Sequence, residues 1–287
     1  YRKAWRSTAK ASAVDVDAGW KKQEERLFGN SKSVAFTPSR KRTLNIGFVT
    51  RIAAAVILLV ALGYAAFYMF ENRMKTVVAA NEPLTVTLDD GSEVTLNRDS
   101  RLTFPTAFRN ERRKILLEGD GYFEVARDES RPFIIETDRI TVEVLGTSFY
   151  VNARESNIAD EVVVSSGSVK VEAGEAAPVI VAAGQKAIYN RKAGLLARSV
   201  NEDANFLSWK TGKLIFDDVP LVRVVNELER AFGIHAELGN SNIRTCMITA
   251  TFEGQTPEDI LTIISETLGL EFHQEGDGYV LTGEGCK

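Results

Sequence analysis

Residues 52–70, IAAAVILLVALGYAAFYMF, form a run of 19 residues without a charged side chain, and the run lies inside the chain rather than at its start. A helix over this run rises about 1.5 Å per residue and so spans roughly 28 Å, close to the hydrocarbon thickness of a bilayer. The run therefore reads as one membrane-spanning helix. Arg40, Lys41, Arg42 and Arg51 precede it, whereas Arg73 and Lys75 follow beside Glu71. The positive-inside tendency then puts the N-terminal side in the cytoplasm. A buried core helix is the competing reading, but a soluble helix normally keeps a polar stripe. A cleaved signal peptide fits less well, because a long charged segment comes first and the apolar run is too extended for a signal core. The first residue is Tyr rather than Met, so the chain is expected to be a piece of a longer protein.

With that orientation the composition divides. Residues 1–51 carry a net charge of +8 and residues 71–287 a net charge of −12, which together make the chain's −4. A basic stub beside anionic lipids is the usual result of topogenesis, so residues 40–42 read as an anchor and no direct nucleic-acid partner is expected. About 217 residues on the far side suffice for one or two buried cores. Both cysteines, Cys246 and Cys286, lie there, where a disulfide is redox-permitted. Sequence leaves a bond and two separate thiols equally open.

Four regions follow. Residues 1–51 are a cytoplasmic segment with Asp15 or Asp17 as a helix N-cap, and with Trp20, Leu27 and Phe28 near helical spacing; Trp5 belongs to an earlier short helix. Such a segment is too small to bury its aromatics alone, so those four residues are candidate contacts for a cytoplasmic partner. Residues 52–70 are the span. Residues 71–200 alternate apolar with polar at Leu84–Leu88, Val94–Leu96, Thr141–Val144 and Val169–Val171. Asp90-Gly91, Gly119-Asp-Gly121, Gly167 and Gly174 punctuate them as turns. This predicts an all-β sandwich, jelly roll or barrel-like domain.

Residues 206–287 carry an internal repeat. The segments Leu214–Leu238 and Met247–Phe272 each read strand, Pro at a helix start, amphipathic helix, Gly, strand, with Pro220 matching Pro257 and Gly233 matching Gly269. Two small βαβ units sharing one sheet are expected, an α+β domain whose strand edges suit docking to another protein. No metal site or cofactor is indicated, since His235 and His273 have no Cys or His at ligand spacing. No phosphate-cradling loop or nucleophile elbow appears either, so an enzyme is not expected.

Seven stretches, in order, resemble the FecR-like transmembrane anti-sigma factors of Gram-negative bacteria. They are Asp90–Asn97 (DGSEVTLN), Gly119–Val125 (GDGYFEV), Arg131–Phe133, Val144–Phe149 (VLGTSF), Ser166–Val169, Ala183–Gln185 and Phe206–Phe216 (FLSWKTGKLIF). The stub ending at Trp20 is similar to the Bacteroidetes-type branch of the FecR family. Asp120-Gly121 departs from the family's frequent Glu-Ala, and the sigma-binding helices would lie mainly before Tyr1.

The resemblance implies a single-pass inner-membrane protein with a cytoplasmic N-terminus and a periplasmic C-terminal region. Its C-terminal domain would resemble a secretin/TonB short N-terminal domain and receive the signalling domain of a TonB-dependent outer-membrane transporter. The cytoplasmic region would hold an extracytoplasmic-function sigma factor, with periplasmic and intramembrane proteases as further partners. A membrane-anchored periplasmic scaffold or cell-wall-binding protein is the alternative, and a tethered hydrolase a third. The resemblance also allows self-cleavage between Gly146 and Thr147 by attack of the Thr147 hydroxyl on the preceding carbonyl. The preferred reading is a glycine that allows close packing beside an ordinary strand threonine, because no base can be named.

Overall fold

The computed structural model of the chain describes residues 15–29, 46–71, 73–276 and 278–286. It falls into two compact units, residues 1–63 and 64–287. In the first, α1 (Val16–Phe28) starts at Asp15, whose carboxylate accepts a hydrogen bond from the Ala18 amide at 3.2 Å. Asp17 in the first turn and Arg26 in the last complement the helix dipole. Next, α2 (Ile46–Glu71) is a continuous 26-residue helix. Among the described residues no helix is long and apolar enough to cross a membrane.

After the last residues of α2, the second unit continues with thirteen strands. They are β1 (Met74–Ala79), β2 (Leu84–Thr87), β3 (Glu93–Leu96), β4 (Ser100–Pro105), β5 (Arg113–Glu124), β6 (Phe133–Glu136), β7 (Ile140–Val144), β8 (Ser148–Ala153), β9 (Ala159–Ser166), β10 (Ser168–Ala173), β11 (Val179–Ala182), β12 (Gln185–Asn190) and β13 (Leu195–Val200). One layer runs β1-β4-β5-β6-β7-β10-β11 and the other β2-β3-β5-β8-β9-β12-β13. Their inward side chains meet in one core, where Leu102, Ile115 and Phe133 of the first layer join Phe123, Phe149 and Val162 of the second. Full burial of such a side chain contributes about 1.5–3 kcal/mol.

Strand β5 belongs to both layers. Through Glu118 it pairs with β4 and, in parallel, with β6; from Gly119 onward it pairs with β8 and β3. Gly119 sits at the switch with φ 98°, and a Cβ there would lie 2.9 Å from the Ser100 Cα. The sequence reading of Gly119-Asp120-Gly121 as a turn is therefore corrected. These glycines let a single strand change sheets, which in sequence looks like a break between two strands. The Asp90-Gly91 turn does form, and the fully buried Arg113 guanidinium donates to the Asp90 carboxylate at 2.7 Å behind it.

The remainder comprises α3 (Ser208–Thr211), β14 (Lys213–Pro220), α4 (Leu221–Phe232), β15 (His235–Leu238), β16 (Met247–Glu253), α5 (Pro257–Leu268), β17 (Glu271–Glu275) and β18 (Gly278–Thr282). The repeat is present, but its strands do not share one sheet. β14 pairs antiparallel with its counterpart β16, while β15 lies parallel to β18, which pairs antiparallel with β17. The two repeats thus exchange strands across both helices instead of each closing a βαβ unit. Helices α4 and α5 contribute to a common core that includes Leu228 and Ile260.

Candidate interaction surfaces

The outer face of the second layer is where the β domain meets the C-terminal domain. Alternation along β5, β8 and β9 turns Tyr122, Tyr150 and Val163 away from the sandwich core, and Trp209 of α3 covers them, with Phe206 and Leu207 at the margin. Trp209 and Phe206 pack on the Tyr150 ring at centroid distances of 6.1 and 6.3 Å. The Lys210 ammonium lies 4.9 Å from the centre of the Tyr122 ring.

Beneath this joint is Asp120, 1% exposed, between the two glycines of the strand switch. Its carboxylate accepts hydrogen bonds from Asn97 at 2.9 Å and the Tyr150 hydroxyl at 2.8 Å, and it pairs with Arg154. Burial, followed by the Asp120 charge, raises the Tyr150 pKa well above its ordinary value, so Tyr150 stays a donor. Arg154 also donates to the carbonyl of Arg98. Arg98 in turn reaches across to the Ala231 carbonyl at the C-terminal end of α4, at 3.1 and 3.3 Å. On the same helix, Arg230 holds Asp203 at 2.8 Å. Burial is the largest single influence on Asp203 and raises its pKa, but the hydrogen bond and charge of Arg230, the Asn205 amide and the Lys186 charge together outweigh it, and the net shift is downward. A chain of charges therefore runs from the strand switch to the first repeat. In the sequence Asp120 reads as part of a turn and as a departure from a family pattern; a carboxylate set between two glycines in the otherwise mostly apolar stretch ILLEGDGYF is the signal available.

The sequence-selected residues are scattered among three other places. Trp20, Leu27 and Phe28 stand on α1, 67%, 67% and 75% exposed, and no residue of that helix is buried. Trp5 lies outside the described residues. Along α2, Val56–Val60 are likewise exposed apolar side chains, a contiguous surface of the kind that marks a protein or membrane contact.

Gly146 and Thr147 join β7 to β8. A Cβ at Gly146 would meet the Arg127 Cα at 2.6 Å, so a close backbone approach requires the glycine. The buried Thr147 hydroxyl donates to the Ser168 carbonyl at 3.0 Å, and the Thr147 carbonyl accepts from the Val125 amide.

Cys246 and Cys286 are bonded, with Cα atoms 5.5 Å apart, and enclose the second repeat in a covalent loop. Among the described residues no group of three or more His, Cys, Asp or Glu could hold a metal ion. His235 is an exposed strand residue bracketed by Glu229 at 3.1 Å and Glu237 at 3.0 Å.

The FecR protein family matches residues 74–170, and the family of the FecR C-terminal region matches residues 213–281. The chain belongs to the FecR-like anti-sigma factors. Two crystal structures of proposed anti-sigma factors from Parabacteroides distasonis ATCC 8503 are similar to it. One, at 2.50 Å, is 28% identical with a TM-score of 0.59 and covers 73% of this chain and 99% of its own. The other, at 1.65 Å, is 29% identical with a TM-score of 0.58, covering 72% and 98%. No curated protein matches. In this FecR-like chain the first match begins at the first residue of β1 and ends within β10, and the second runs from the start of β14 into β18. Trp209 and Asp203, which tie the two parts together, fall in the segment between them.

Proposed function

We propose that this FecR-like protein is a single-pass inner-membrane transducer, with its N-terminus in the cytoplasm and residues beyond 71 in the periplasm. The observation that carries this reading is the order of parts: a helix with exposed Trp20, Leu27 and Phe28, then the uncharged run 52–70, then the two FecR matches. The Cys246–Cys286 bond agrees with an oxidising compartment. The C-terminal domain receives the periplasmic signalling domain of a TonB-dependent transporter at a strand edge. The N-terminal segment, including Trp20, Leu27 and Phe28, holds an extracytoplasmic-function sigma factor. One helix conveys an equilibrium poorly unless a two-state element is present. Cleavage by periplasmic and intramembrane proteases supplies such a step and frees the sigma-binding segment.

A cysteine placed at Ser31 should be shielded from a membrane-impermeant thiol reagent in intact spheroplasts, and one at Asp90 should be labelled; the reverse pattern rejects the orientation. The sigma factor should co-purify with the cytoplasmic region of the native protein and be lost with Trp20→Ala plus Phe28→Ala. Gly146-Thr147 serves packing in this reading. Purified protein should stay one chain on prolonged incubation, and two fragments that disappear with Thr147→Ala would make the cut internal.

A further inference from the structure

At one end of the first layer the β domain carries a basic, partly apolar surface that the relay does not use. Arg73 is two residues beyond the last residue of α2, and its carbonyl accepts from the Thr106 amide at 3.0 Å. That bond, with the Met74 to Pro105 register, ties the chain emerging from α2 to the loop between β4 and β5. The loop and its flanks form an open cleft of about 790 Å³ that includes Met74, Arg109, Arg112, Lys114 and Leu116. Met74 and Leu116 are 52% and 42% exposed, and the three basic side chains are also exposed. The nearby acids are Glu111 and Glu136, the latter paired with Lys114 at 2.7 Å. Positive charge thus gathers here, on a part of the chain whose net charge is −12.

We infer that this end of the β domain rests on anionic phospholipid headgroups, with Arg109, Arg112 and Lys114 on the phosphates and Met74 at the interface. Chain connectivity supplies the occupant: the uncharged run ends at residue 70, so on the membrane reading of α2 the cleft lies within a few residues of the bilayer surface. Long basic side chains reach such a surface while their stems pack on apolar neighbours, and a polybasic patch adds electrostatic attraction that salt screens. The inference rests on the proposed membrane span. Its consequence is that lipid, and not only the tether, sets how the sandwich stands on the membrane.

The test uses the full chain reconstituted in vesicles of phosphatidylcholine alone and of an equal mixture with phosphatidylglycerol, followed by flotation and by hydrogen exchange. Exchange at residues 106–112 should slow several-fold in the mixed vesicles. High salt, or Arg109→Gln with Arg112→Gln, should abolish the slowing and leave β8 and β9 unchanged. The salt series uses unaltered protein and decides the matter if the variant misfolds. A chain that floats but exchanges equally in both vesicles overturns the inference while sparing the membrane reading. A chain that does not float overturns both. Slowing by soluble polyglutamate in phosphatidylcholine vesicles, with none from phosphatidylglycerol, would make the occupant an acidic polypeptide and also overturn it.

Discussion

The two repeats of the C-terminal domain have the same plan and are secured in different ways. In the first, α4 has Pro220 at its N-cap and no side-chain cap; its leading amides, those of Leu221 and Val222, donate to the carbonyls of Cys246 and Arg244. Its last turn is held from outside by Arg98, and Arg230 ties it to Asp203. In the second, α5 satisfies itself: Thr256 and Asp259 form a reciprocal capping box, Pro257 takes the first helical position, and the disulfide closes the surrounding chain. The first repeat is thus fixed by its neighbours and the second by its own residues. A disturbance of the β domain should be felt by α4 and hardly by α5.

Five measurements can break or sharpen this contrast. The largest effect is expected in the shared core: Leu228→Ala and Ile260→Ala each remove a fully buried side chain and should cost about 2–5 kcal/mol in chemical denaturation. Next, replacing Cys246 and Cys286 by Ser should cost about 2–4 kcal/mol, with hydrogen exchange rising across β16–β18 and staying constant in the sandwich. Arg98→Ala removes a charged donor from the Ala231 carbonyl and should cost about 1.5–3 kcal/mol at most. Its mark is faster exchange at the end of α4 with α5 unaffected, and equal acceleration of both helices would sink the proposed asymmetry.

Thr256→Ala should cost about 1 kcal/mol and fray only α5. The smallest effect concerns His235, whose pKa is raised, first by its hydrogen bond to Glu237 and then by the Glu229 and Glu237 charges. A raised folded value means the contribution is fully present below the ordinary histidine pKa and lost as pH rises through the folded one. Melting temperature should therefore decline slightly more for the native chain than for His235→Gln between about pH 6 and about pH 8.

Sequence made the strands legible wherever one face is wet. Thr141–Val144 alternates because β7 has a core side and an exposed or partly exposed side, and the same holds for Val169–Val171 in β10. It failed where both faces are covered. From Asp120 to Phe123 β5 is buried at every position, with Phe123 in the sandwich core and Tyr122 under Trp209, so no period of two survives and the glycines dominate the pattern. The repeat was visible through Pro220, Pro257, Gly233 and Gly269 because helix ends are written locally. Which strand pairs with which was not, since β14 finds β16 across 27 or more residues and no local signal encodes that choice. Of the candidate residues, the exposed aromatics of α1 could be picked out by their spacing, whereas the Asp120 network depends on side chains brought together from β5, β8 and the loop after β3.

The bond between Cys246 and Cys286 turns β16, α5, β17 and β18 into a ring. A processive protease that pulls the chain through a channel wide enough for one extended polypeptide would meet two strands side by side at the crosslink and stall there. Degradation that starts from the N-terminal side would dismantle the sandwich first and release the ring last.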